Sequence, residues 1–121
     1  MTNIYFYTKG QLSRIVGILA THPGDARKRV AAASVEIFIL KENHFPPRYR
    51  ADWNWIREEI TKFGPVYNYK GEVQEGSVEH TMSRVRNSTA ANVARKIYYL
   101  HCEAEAGVGE RFSDWSYPNA A

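Results

Sequence analysis

The chain has one cysteine, Cys102, so no disulfide can form within it. That excludes the small disulfide-stapled class, and the cysteine-rich zinc modules with it. No apolar run approaches the roughly 18–20 residues that span a bilayer, so no membrane partner is expected. Met1 to Gly10 has neither the basic start nor the apolar stretch of a signal peptide. The cytoplasm is therefore the expected compartment. Excess charge is also scarce: 16 Lys and Arg stand against 13 Asp and Glu, a net of +3. Disorder of the whole chain needs few hydrophobic residues and a large net charge, and 44% hydrophobic residues exclude it. What remains is a single domain of 121 residues. A chain of this size buries roughly two-thirds of the surface it exposes when unfolded.

Periodicity sets the expected elements. Ile4 to Tyr7 are four β-formers in a row, a short strand or an apolar arm. Leu12, Ile15, Val16 and Leu19 share one helical face, predicting a helix over about 9–21 with Thr8 at its N-cap. His22-Pro23-Gly24 stops it. Asp25 caps a second helix, 26–41, with Val30, Ala33, Ser34, Ile37 and Phe38 inward. Pro46 or Pro47 opens a third, 48–62, carrying Tyr49, Trp53, Ile56 and Ile60 on one stripe. Val66 to Gln74 reads as a small hairpin or a Tyr-rich loop. Ser77 caps a fourth helix, and Ser88 or Thr89 a fifth running from Ala90 to about Ala104. The expected fold is mainly α: a bundle of about five helices with a minor β-hairpin or Tyr-rich loop between the third and fourth. Residues 1–106 form its single domain. Residues 107–121, with Phe112, Trp115 and Tyr117, are expected as an acidic aromatic tail, docked or partly disordered.

Catalytic signatures are missing. There is no Gly-x4-Gly-Lys-Ser/Thr and no His-Glu-x-x-His, and Gly107-Val108-Gly109 follows a helix and lacks a third glycine. His80, His101, Cys102 and Glu79 have no metal-ligand spacing. Cys102 and His101 are neighbours in sequence and diverge on a helix, as do Glu58 and Glu59. No catalytic residue, metal or cofactor is assigned, and the reading leans away from an enzyme.

Charge and aromatics are more informative. Residues 84–102 contain Arg84, Arg86, Arg95 and Lys96 and no acid, whereas 103–121 carry −3. With Ser88, these cations are the candidates for phosphate or nucleic-acid binding. Arg84 and Arg86 lie about 200° apart on a helix, so the block is diffuse. Arg27, Lys28 and Arg29 sit in the first turn of the second helix, where the dipole disfavours cations. Paired aromatics send one ring off the core stripe. Trp55, Tyr67, Tyr69, Tyr98, Tyr99 and Trp115 are the candidates for partner binding.

The segment His80-Thr81-Met82-Ser83-Arg84-Val85-Arg86-Asn87 resembles the recognition helix of the lactose-repressor family, often Thr-Val-Ser-Arg-Val-x-Asn. A following helix also occurs in that family. The family's first helix, with its Ala-Gly-Val-Ser turn, belongs just upstream. Here Tyr69 to Ser77 reads as hairpin or loop, and no functional residue is carried across.

The favoured function is non-enzymatic: binding of another macromolecule, foremost a protein or a second copy of the chain, as inhibitor, accessory subunit or regulator. Its size and lack of targeting signals suit a phage or mobile-element product. The alternatives are a nucleic-acid-binding regulator using the basic helix pair 78–104, and a small enzyme with an unrecognised site.

Overall fold

A computed structural model describes residues 3–116. Its first helix, α1 (Ile4–Thr21), begins where a strand or arm was expected. The cause is Asn3, whose Oδ1 accepts the Tyr5 N–H at 2.9 Å and caps the helix. With the start moved back, Tyr5, Thr8, Leu12 and Ile15 form one buried stripe. Thr8 is thus not the cap. It is fully buried, and its hydroxyl donates to the His44 carbonyl at 2.7 Å.

Helix α2 (Ala26–Ile39) is capped by Asp25, whose Oδ1 accepts the Lys28 N–H at 3.2 Å. A second acceptor comes from far along the chain: Asn87 Oδ1 takes the Ala26 N–H at 2.8 Å. Val30, Ala33, Ile37 and Leu40 are buried below α2. A 3₁₀ turn at Pro47–Tyr49 leads into α3 (Arg50–Glu59), so the proline sits at a helical start that needs no N–H. Trp53 and Ile56 enter the core, and the Trp53 indole donates to the Leu40 carbonyl at 2.9 Å.

Strands β1 (Val66–Tyr67) and β2 (Val73–Glu75) pair antiparallel, with Val66 opposite Glu75 and Tyr67 opposite Val73. The Asn68 carbonyl oxygen of the side chain accepts from the N–H groups of Lys70 and Glu72, and Gly71 takes φ +80° to close the turn. Helices α4 (Ser77–Arg84) and α5 (Asn87–Gly107) follow. Ser77 is the first residue of α4 and Gly76 its cap. Helix α5 starts at Asn87, three residues early, because only Val85 and Arg86 are extended between the two helices. Ser88 therefore lies inside the first turn of α5.

Among the described residues the fold is mainly helical, with five α-helices and a two-stranded hairpin. Helix α1 packs on α2 and α5, and α2 also packs on α4 and α5. Past α5 the chain turns back and inserts Trp115 into the core. Its ring stacks on Tyr49 at 5.1 Å and meets Tyr5 edge-on at 5.6 Å. Phe45 joins the same cluster, stacked on Trp53 at 4.7 Å. Tyr117 and the rest of 117–121 lie outside the described residues.

Candidate functional site

The six aromatic candidates do not converge. Trp115 is 1% exposed and belongs to the core, so it offers no surface to a partner. The reason is long-range: residues 113–116 fold back on α5 through Ser113, whose hydroxyl donates to the Gly107 carbonyl at 2.6 Å. Tyr99 is exposed on α5, 6.5 Å from the Tyr49 ring, with the Lys96 ammonium 5.6 Å away. Burial and a bond to Glu103 raise its phenol above the ordinary value. Trp55 is on the outer side of α3. Tyr98 is on another side of α5, facing α1 across a groove lined also by Val16, Leu19, Ala20, Ala94 and Arg95. A hydrogen bond to Cys102 raises the Tyr98 phenol.

Tyr67 and Tyr69 both lie on the hairpin and both are exposed, and other exposed apolar residues lie on or next to it. The cross-strand pair Tyr67 and Val73 is 59% and 61% exposed, and Tyr69 at the turn is 94% exposed. Phe63, just before the hairpin, is also exposed. The Arg84 guanidinium lies 5.0 Å from the Phe63 ring and the Lys70 ammonium 5.7 Å from Tyr69. The segment leading into the hairpin is anchored to α4. The Phe63 N–H donates to the buried Thr81 hydroxyl at 3.1 Å, and His80 Nδ1 donates to the Gly64 carbonyl at 2.9 Å. Phe63 and Val73 escaped the sequence reading because a single ring at a helix end and a valine in a short strand carry no pattern.

The basic candidates divide among several neighbours. Arg84 belongs to the hairpin face. Lys96 pairs with Asp52 of α3 at 3.3 Å. Arg95 bonds the neutral Asn92 side chain at 2.7 Å and points toward the α1 groove. Arg86 and Ser88 flank Asn87, whose side chain accepts the Ala26 N–H at the start of α2. Arg27 is engaged by Asp25 at 2.8 Å, and this contact holds the Asp25 carboxyl below its ordinary range.

The imidazoles of His80 and His101 have separate surroundings: His80 is at the base of the hairpin, and His101 is beside Tyr98. Cys102 is exposed. Among the described residues no group of three or more His, Cys, Asp or Glu is placed to hold a metal ion, and no helix is long and apolar enough to cross a membrane. No family model, curated protein or solved structure matches the chain.

Proposed function

We propose that the chain is a cytoplasmic, non-enzymatic protein-binding module, acting as an inhibitor, accessory subunit or regulator through its hairpin face. The observation that carries this reading is the exposure of Phe63, Tyr67, Tyr69 and Val73, with Arg84 over the Phe63 ring. Leaving rings of this size facing water gains nothing for the isolated fold. Aromatic side chains next to arginine are the usual anchors of protein interfaces. Phe63 is fastened to α4 through Thr81, so this part of the face is ordered before association. Affinity capture from the host lysate tests it, with the double variant Tyr67→Ala/Tyr69→Ala alongside. A stoichiometric protein retained by the native chain and lost by the variant is expected. Equal recovery by both, or no partner, counts against the reading.

A second reading, nucleic-acid binding, is favoured by one contact. The Ala26 N–H to Asn87 Oδ1 bond brings the starts of α2 and α5 together. Lys28 in the first turn of α2 and Arg86 at the cap of α5 thereby belong to two neighbouring helix starts, whose N–H groups suit phosphate. It predicts DNA or RNA binding that weakens steeply with salt and is reduced in Lys28→Ala/Arg86→Ala. A shift that salt leaves unchanged would sink it.

A further inference from the structure

The groove between α1 and α5 is separate from the hairpin face. Its walls are Val16, Leu19 and Ala20 from α1, and Ala94 and Tyr98 from α5, enclosing about 370 Å³. Beyond Leu19 and Ala94 it continues into a second hollow of about 460 Å³ that reaches Ala91 and Ala26. From Ala91 to Tyr98 the walls follow two turns of α5, about 10 Å. The alanines keep the walls low, so another backbone can come close. A channel between two antiparallel helices takes the ridge of a third helix.

Among the described residues the first hollow is lined by one charged side chain, Arg95, and the second adds Arg29 and Asp25. Arg95 stands on the groove's edge, bonded only to Asn92 and in no ion pair among the described residues. The carboxylate nearest by, Asp25, is already taken up by Arg27. A second copy packed here by a two-fold axis would set Arg95 near its own equivalent, which like-charge repulsion opposes.

We propose that the α1–α5 groove receives an acidic amphipathic helix of a partner protein, with apolar anchors at i, i+4 and i+7 and a carboxylate paired to Arg95. The proposal rests on the protein-binding reading and adds a second contact surface to it. Helix-in-groove recognition of this kind depends on the anchors for affinity and on flanking charge for orientation.

The experiment uses the full chain and two helix-stabilised fluorescent peptides, each with Leu at i, i+4 and i+7, one flanked by Glu and the other by Lys. Anisotropy is expected to show the Glu peptide binding at least about tenfold more tightly. Ala94→Trp, which fills the groove, should abolish that binding. Arg95→Glu, an exposed change that leaves the packing alone, should reverse the preference between the peptides. Tyr67→Ala/Tyr69→Ala should leave it intact. Absence of binding, equal binding of both peptides, or binding that survives Arg95→Glu unchanged overturns the proposal. Self-association of the chain that Ala94→Trp removes also overturns it, in favour of a second copy. If capture through the hairpin face still succeeds after any of these results, only the groove assignment has failed.

Discussion

Gly107 lies directly beneath the indole of Trp115, so close that a methyl group at this position would run into the five-membered ring. The last turn of α5 thereby serves as the floor of the Trp115 site. A glycine inside a helix is normally a weakness, about 1 kcal/mol worse than alanine. Here it is the condition for burying the largest side chain available.

Gly107→Ala is accordingly expected to destabilise the protein, by about 1–3 kcal/mol, the usual cost of overpacking a core. Gly17, in the middle of α1, has open space around its Cα. Gly17→Ala should raise stability by about 0.4–1 kcal/mol. Urea unfolding of the two variants measures both signs, and a stabilised Gly107→Ala would contradict the packing described.

Thr81 is fully buried and accepts the Phe63 N–H. Thr81→Val keeps the shape and removes the acceptor, leaving a backbone donor without its bond. A loss of about 1–3 kcal/mol is expected. Hydrogen exchange at the Phe63 amide should quicken, and Thr81→Ser should restore most of its protection.

Asp25 contributes through its charge as well as its capping oxygen. The Arg27 side chain, then the Lys28 N–H, hold its folded value below the ordinary 3.8. The sign follows from linkage: a lowered folded value gives stability that is whole above 3.8 and is lost as pH falls through the folded value. Asp25→Asn retains an N-cap oxygen and cannot titrate. The difference in urea midpoint between native chain and variant should therefore shrink toward acid pH. A difference that grows on acidification would show the sign to be wrong.

The phenol of Tyr98 is raised first by its hydrogen bond with Cys102. Cys102→Ala should bring it back toward 10.0, the ordinary tyrosine value. Ring-labelled tyrosine followed by NMR through alkaline pH resolves this resonance from the other seven tyrosines. An unchanged titration would place the cause elsewhere.

The helical stripes were legible because they repeat. Val30, Ala33 and Ile37, Trp53 and Ile56, and Val93, Ile97 and Leu100 each recur at helical spacing, and all are buried. The start of α1 was not legible. Tyr5 and Thr8 belong to the Leu12–Ile15 stripe, but a polar threonine interrupts the apolar pattern, and its reason for burial is a carbonyl 36 residues away. The same holds for Asn87, whose side chain completes the cap of α2 from 61 residues away. Aromatic rings were identifiable as surplus to one stripe. Which of them face water was decided by contacts distant in sequence, so Trp115 and Tyr69 have opposite fates.

Asn3 donates from its side-chain nitrogen to the Trp115 carbonyl at 3.0 Å, across 112 positions of sequence. The described chain is therefore almost a ring, and its covalent gap opens beside the aromatic cluster. Cutting that ring instead at Lys70–Gly71, an exposed turn outside every helix, and bridging 116 to 3 with a short flexible linker would leave all five described helices unbroken. In this sense the order in which the helices are synthesised is a choice of where a circle is opened, and the packing around Trp115 is indifferent to it.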